Sequence, residues 1–148
     1  MDFDCNHLLG ENYLVSSSKL QRLYMQMCID AVKDYCFTSC EVAILLFLDN
    51  NKPLDTAKDI TTYRGISKGL VCKNVDLLIS KGFLSTCIDD KDKRYIHLSI
   101  TPDASEIIKK LRSARNEFFS ILFNGISEEE INCMRKTTSK MMENINLK

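Results

Sequence analysis

Basic side chains concentrate in two short stretches of this chain, although the formal net charge of the whole sequence is zero. The first stretch, residues 63–81, has four basic residues and the single acid Asp76. The second, residues 91–94, has three basic residues around Asp92. Residues 1–40, by contrast, contain three basic and five acidic residues. Local clusters of ammonium and guanidinium groups suit contacts with phosphate oxygens, so the sequence favours a polyanionic partner.

Other reactive residue types are present, but their spacing does not indicate catalysis or metal binding. His7 and His97 are the only histidines, whereas a zinc site needs three or four convergent ligands. The sequence has neither a phosphate-binding glycine loop nor an acid and base, or a Cys and His, at a catalytic spacing. We therefore expect no metal, no cofactor and no enzymatic activity.

The seven cysteines indicate a reducing compartment, because their number is odd and no C-x-x-C pair occurs. The acidic residues within Met1–His7 do not fit a signal peptide, and the longest apolar run, Val42–Leu48, is far shorter than the ~20 residues of a membrane span. We expect a cytoplasmic protein without membrane contact. Cys5 and Cys72 are the candidate redox residues. A thiol-based redox enzyme remains an alternative, and it would need a cysteine of low pKa.

Helical periodicity dominates the part of the chain that precedes and includes the first basic stretch. We predict a first amphipathic helix capped by Ser16–Ser18, and a buried second helix that starts at the Thr38–Glu41 capping box. A third, short helix is predicted from Asp55 or Thr56 to just before Gly65.

A fourth helix follows, with Ser67 as its N-cap and its end at Gly82. Apolar and basic side chains separate onto opposite faces of this predicted helix, so one face packs on the core and the other meets solvent or a partner. The apolar face has Val71, Val75, Leu78 and Ile79, and the polar face has Lys68, Lys73, Asn74 and Lys81.

The second basic stretch forms the tip of a predicted β-hairpin, because β-prone residues 83–88 and 95–100 flank it. Pro102 then opens a long helix that ends at Asn124–Gly125, and the Ser127–Glu130 capping box starts a final one. The predicted order is α-α-α-α-β-β-α-α, a mainly α fold with a small β hairpin. Two short helices followed by a hairpin with a basic tip form a winged helix-turn-helix, which suits double-stranded DNA.

Two segments resemble the MarR family of winged helix-turn-helix transcriptional regulators. Residues 66–84 are similar to its recognition helix and to the Leu-x-x-x-Gly that leads into the wing, here Leu78 to Gly82. Residues 92–101 fit its wing pattern Asp-x-Arg-x-x-x-Leu-x-(Leu/Ile)-Thr throughout. The resemblance implies one domain, residues 1–148, in which 38–101 form the DNA-binding lobe and 1–37 and 102–148 form dimerisation helices.

The resemblance also implies roles for individual residues. Arg94 would enter the minor groove, and Asp92 would hold the wing by pairing with a basic neighbour. The remaining implied DNA contacts are Arg64, Ser67, Lys68, Lys73, Asn74, Lys91 and Lys93. Leu70 and Cys72 stand where many relatives have hydroxyl residues, so the operator would be read partly by its shape.

Together these features predict a homodimeric, sequence-specific regulator, which we expect to be a repressor on a pseudo-palindromic operator. A small aromatic or amphipathic effector, or oxidation, would release it. The candidate effector crevice is lined by Tyr24, Tyr35, Tyr63, Phe118 and Phe119. The alternative is a winged helix that binds proteins and not DNA. For Arg94, the alternative to DNA contact is an ion pair with Asp89, Asp90 or Asp92 at the hairpin tip, and DNA contact is the favoured interpretation.

Overall fold

The structure is a computed structural model that describes residues 3–146, with side chains from residue 9 onward. The order of its elements is the predicted one, mainly helical with one antiparallel hairpin. The elements are α1 Phe3–Ala31, α2 Ser39–Asn50, α3 Ala57–Arg64, α4 Lys68–Ser80, β1 Leu84–Ile88, β2 Ile96–Ile100, α5 Ser105–Leu122 and α6 Glu128–Asn146. The chain divides between Asn116 and Glu117 into two compact units.

The prediction for the start of the first helix was wrong. α1 begins at Phe3 and runs through Ser16–Ser18, which lie in its interior and not at its end. Serine is a good N-cap only where the preceding chain leaves the helix, and at solvent-facing interior positions it costs little helix stability. Ser16 and Ser18 are exposed, so neither hydroxyl is forced to satisfy a backbone amide there.

The predicted caps of the next helices are present. Thr38 and Glu41 form a reciprocal capping box at the start of α2. Thr56 forms a second one with Asp59 at the start of α3, which ends at Gly65 in the left-handed conformation (φ 65°). Glycine has no Cβ to clash there, so α3 can stop sharply and the chain can turn at once into α4.

The hydrophobic core of the first unit is built around α2. The side chains of Val42, Ile44, Leu45 and Phe47 in that helix are fully buried. α4 adds Val71, Val75 and Leu78, and α5 adds Ile107 and Leu111. Each fully buried side chain of this size stabilises the fold by ~1.5–3 kcal/mol, so the core fixes the position of α4.

The hairpin pairs Leu84 with Ile100 at its base and Ile88 with Ile96 near its tip. Its base packs on the core through Leu84 and Leu98, both buried. The segment before α3 runs along the other edge of β2, because the amide of Leu98 donates to the carbonyl of Asp55 at 2.8 Å. The hairpin is therefore anchored at its base on one side and along β2 on the other.

The second unit contains the end of α5, from Glu117, and the whole of α6. The predicted capping box at the start of α6 is present, with the amide of Ser127 donating to Glu130 at 2.8 Å. At the end of α5, Phe119 makes an edge contact with Phe118 and stacks on Phe123. Of the helices within residues 3–146, none has the length and apolar character needed to cross a membrane.

Candidate nucleic-acid interface

The first turn of α4 presents polar side chains to solvent. The hydroxyl of Ser67 accepts the amide of Leu70 at 3.4 Å, so Ser67 caps the helix as predicted. Ser67, Lys68 and, one turn later, Lys73 are exposed. Because Val71, Val75 and Leu78 on the other face are buried, this orientation of α4 is fixed by the core.

Asn74 does not belong to the exposed face, which corrects the expectation that it reads DNA. Its side chain is 3% exposed. Its Oδ1 accepts the hydroxyl of Thr38 at 2.8 Å, and its Nδ2 donates to the carbonyl of Leu70 at 2.8 Å. Asn74 follows Val71 by three residues and precedes Leu78 by four, so helical spacing places it within the buried stripe. Its role in this structure is to join α4 to the N-terminus of α2.

The tip of the hairpin is organised by two aspartates. Oδ1 of Asp89 accepts the amides of Lys91 and Asp92, at 2.8 and 2.7 Å. Asp92 in turn binds the guanidinium of Arg94 through both carboxylate oxygens, at 3.0 and 2.8 Å. The backbone amides and the guanidinium hold the pKa values of Asp89 and Asp92 below the usual range of an aspartate. Asp92 thus pairs with Arg94 itself.

Arg94 nevertheless remains available to a partner, because its side chain is 88% exposed. Its ion pair with Asp92 is solvent-accessible, and such pairs contribute little to stability. Lys91 and Lys93 on either side of Asp92 are also exposed. The hairpin tip therefore presents three cationic side chains to solvent.

The first turn of α4 and the hairpin tip face the same groove. Lys68 and Arg94 line this groove, which has a volume of about 450 Å³, and so does Lys58 from the first turn of α3. The other lining residues are Thr56, Ala57, Thr61, Tyr95 and Ile96, none of them acidic. We call this set the cationic groove. Lys58 was missed in the sequence because no motif marks it; its position two residues after the capping Thr56 is the signal that was available.

Arg64 was expected at the DNA interface, but the structure places it in a different groove. Arg64 lines a shallow groove of about 460 Å³ with Arg22, Tyr24 and Tyr63. Its Nε is buried, with no hydrogen-bond partner among the residues that the structure describes. Burial, reinforced by the neighbouring Cys28, raises the pKa of Tyr24 to about 12. We call this the tyrosine groove; its remaining lining residues are Ser18, Gln21 and Met25.

The predicted effector residues of the first unit lie only partly in this groove. Tyr24 and Tyr63 line it, whereas the ring of Tyr35 stacks on Phe37 and makes an edge contact with Phe83. Phe118 and Phe119 lie in the second unit, where their rings contact one another.

The candidate redox cysteines differ in how far the structure describes them. The side chain of Cys5 lies outside the described residues. Cys72 is half-buried on α4, next to Lys73. Burial raises the pKa of the Cys28 and Cys40 thiols, which disfavours the reactive thiolate at these two positions.

Comparison with known proteins yields one family and many structures of the same fold. Residues 38–94, from the start of α2 to Arg94, match the model of the MarR family. The solved transcriptional regulator PA3341 superposes with a TM-score of 0.81 at 16% identity, over 92% of this chain and 99% of its own.

Two further solved structures are of regulators whose small-molecule partners are known. A Staphylococcus aureus MarR in complex with salicylate and kanamycin has a TM-score of 0.71 at 17% identity, over 95% of each chain. BpsR of Bordetella bronchiseptica, whose DNA binding is regulated by 6-hydroxynicotinic acid, has a TM-score of 0.62 at 16% identity, over 94% of this chain and 98% of its own. At these identities the likeness establishes the fold.

Proposed function

We propose that the chain is a MarR-family, sequence-specific transcription regulator that binds double-stranded DNA, because residues 38–94 match the model of that family and solved regulators have the same fold. α4 would enter the major groove by its first turn, and the hairpin would act as the wing that reaches the adjacent minor groove. Ser67, Lys68 and Lys73 would contact DNA from α4, and Lys91, Lys93 and Arg94 from the wing.

The cationic groove carries this proposal. It brings Lys58, Lys68 and Arg94, from three separate elements, to one concave surface without an acidic lining residue. A duplex presents a row of phosphates beside each groove, so a helix that enters the major groove needs neighbouring cations to meet them. The segment that matches the family model contains all three residues.

We further propose a homodimer, which would place two copies of α4 in successive major grooves about one helical turn apart. Apolar side chains are exposed on the first helix of one unit and on the last helix of the other. On α1 these include Leu9, Leu14, Val15 and Leu23, and on α6 Met134, Met141, Met142 and Ile145. Sedimentation equilibrium measures the mass directly, and a monomer at micromolar concentration would contradict the dimer.

The experiment that tests the function is selection from a random duplex pool, with sequencing of the bound fraction at several salt concentrations. We expect enrichment of a pseudo-palindrome, consistent with repression by occupancy of an operator, and an affinity that falls steeply as salt rises. Recovery of no sequence, with binding absent or insensitive to salt, would favour the protein-interaction alternative.

Single substitutions divide the contacts into two kinds. Arg94→Ala should weaken binding and relax the preference for a narrow minor groove, whereas Lys73→Ala should reduce discrimination between operators. The salt slope is the steepness with which the logarithm of the binding constant falls as the logarithm of the salt concentration rises. Each loss of a phosphate contact should also lower this slope by about one. Lys109→Ala, which removes an exposed lysine from α5, is the matched control. Wild-type affinity in both interface variants would show that the contact assignment is wrong.

The tyrosine groove suggests how an effector would act. Two tyrosine rings supply apolar faces, and Arg22 and Arg64 supply positive charge, so the groove suits a small aromatic anion. Salicylate is the probe, because it is bound by the similar Staphylococcus aureus MarR. We expect salicylate to raise the melting temperature and weaken DNA binding, and Arg64→Gln to reduce both effects. Equal responses in the variant and the wild type would exclude Arg64 from the effector site.

Oxidation is a second route to release, and Cys72 would be its site within the described residues. A sulfenic or sulfinic acid there would add polar bulk beside Lys73 on α4. Peroxide should then weaken DNA binding by the wild type but not by Cys72→Ser. The same peroxide response in both proteins would point to another cysteine, with Cys5→Ser as the next variant.

A further inference from the structure

The imidazole of His97 lies between two carboxylates from different parts of the chain. Its Nδ1 is 2.7 Å from Oδ1 of Asp55, in the segment before α3. Its Nε2 is 3.1 Å from Oδ2 of Asp89, at the beginning of the wing tip. His97 itself is on β2, where it also forms a backbone bridge with Thr56. One ring thus joins the start of α3, β2 and the wing tip.

Asp89 extends this connection to the end of the wing. Its Oδ2 contacts the ring, while its Oδ1 accepts the amides of Lys91 and Asp92. Asp92 then holds the guanidinium of Arg94. A continuous series of hydrogen bonds therefore runs from Asp55 to Arg94, and we call its first three members, Asp55, His97 and Asp89, the His97 clasp.

The clasp is complete only when the ring is protonated. A neutral imidazole donates from one nitrogen, whereas an imidazolium donates from both. With a carboxylate at each nitrogen, loss of the proton leaves a lone pair facing an oxygen anion and breaks one contact. The hydrogen bonds to Asp55 and Asp89 raise the pKa of His97 above the 6.5 of a free imidazole. Cys87 is the titratable residue paired with His97 across the hairpin.

We infer that His97 is a positioning residue for the wing, which its protonated ring holds against the start of α3, so that DNA binding decreases as the pH rises. The effect of pH on DNA binding rests on the proposed function, whereas the clasp itself is a property of the free protein. Lys58 and Lys68 lie in the cationic groove with Arg94, so loosening of the clasp changes the spacing of the cations across that groove.

The clasp is tested first in the free protein by NMR. The sequence contains two histidines, so His97→Gln assigns the ring signals. We expect the His97 ring to titrate with a midpoint above that of a free imidazole, and the amides of Lys91, Asp92 and Arg94 to shift with the same midpoint. A midpoint at or below the free value, or amides that do not follow the ring, would overturn the inference.

DNA affinity is then measured at constant ionic strength from about pH 5.5 to pH 8.5, the range in which a histidine titrates. Wild-type affinity should fall roughly three- to tenfold across the NMR midpoint, as expected for the loss of one hydrogen bond. His97→Gln should show no such fall. Asp90→Asn is the control, because it removes one negative charge at an exposed residue next to Asp89. This variant should respond to pH like the wild type.

The outcomes separate the clasp from the proposed function. A pH response in His97→Gln equal to that of the wild type would overturn the role of His97. If that variant does not fold, Asp55→Asn takes its place, and it should lower the midpoint of both the ring titration and DNA binding. If no duplex binds at any pH, the proposed function fails, and the NMR titration of the free protein still decides whether the clasp exists.

Discussion

The first turn of α4 and the wing tip line the same groove, but different forces hold them in place. α4 is fixed by Val71, Val75 and Leu78, which are between 0% and 6% exposed. The wing tip beyond Ile88 and Ile96 is held by backbone hydrogen bonds and by contacts to charged side chains, in which Arg94 is 88% exposed. One arm of the interface, α4, is held by apolar burial, and the other, the wing tip, is held by exposed hydrogen bonds and ion pairs.

This difference determines how each arm responds to its surroundings. Free energy from apolar burial changes little with pH or ionic strength near room temperature, whereas exposed charge pairs are weak and are screened by salt. The position of α4 should therefore not change with pH or ionic strength. The position of the wing is adjustable, so solution conditions should alter DNA binding mainly through the wing.

The largest effect should come from the buried face of α4. Leu78→Ala removes a side chain that is fully buried, so we expect a loss of ~2–5 kcal/mol in the free energy of unfolding, measured by urea denaturation. Leu77→Ala is the matched control, because Leu77 is adjacent to Leu78 in the same helix but is 36% exposed. A loss in Leu77→Ala as large as that in Leu78→Ala would contradict the assignment of the faces.

A smaller effect should come from the neutral hydrogen bond between the same helix and α2. Asn74→Ala leaves the hydroxyl of Thr38 without its partner, which should cost ~1–3 kcal/mol of stability. The salt slope of DNA binding should not change, because Asn74 is buried. Lys73→Ala should do the opposite, with stability within ~0.5 kcal/mol of the wild type and a lower salt slope. A stable Asn74→Ala protein with altered operator preference would restore Asn74 to the interface.

Most of the fold could be predicted because its signals are local. The Thr38–Glu41 and Ser127–Glu130 capping boxes depend on residues three apart, and both are present as predicted. Gly65 ends α3 for a similarly local reason, its left-handed φ. The wing strands were predicted from two β-prone runs, and the observed strands begin one residue later in each case.

The error at Ser16–Ser18 came from a local capping signal, whereas the differences at Asn74 and Arg64 concern residues whose surroundings depend on distant neighbours. Asn74 was judged by its polar side chain, although its spacing from Val71 and Leu78 puts it in the buried stripe, and its partner Thr38 is 36 residues away. Arg64 ends a short helix, and a side chain of that length can lie on either side of it. Sequence could not show that its Nε would be buried in the tyrosine groove.

The smallest effect should be the dependence of stability on pH, which arises in the wing. The contacts of His97 with Asp55 and Asp89 raise its pKa in the folded state, so its contribution is complete below the pKa of about 6.5 that it has when unfolded. That contribution is lost as the pH rises through the higher pKa of the folded state. Urea denaturation of wild type and His97→Gln at several pH values measures it as a stability difference that shrinks with rising pH. Leu78→Ala should differ from the wild type by the same amount at each pH, because apolar burial does not titrate. A difference for His97→Gln that stayed constant with pH would mean that the ring acts by packing alone, and the two arms of the interface would then be held in the same way.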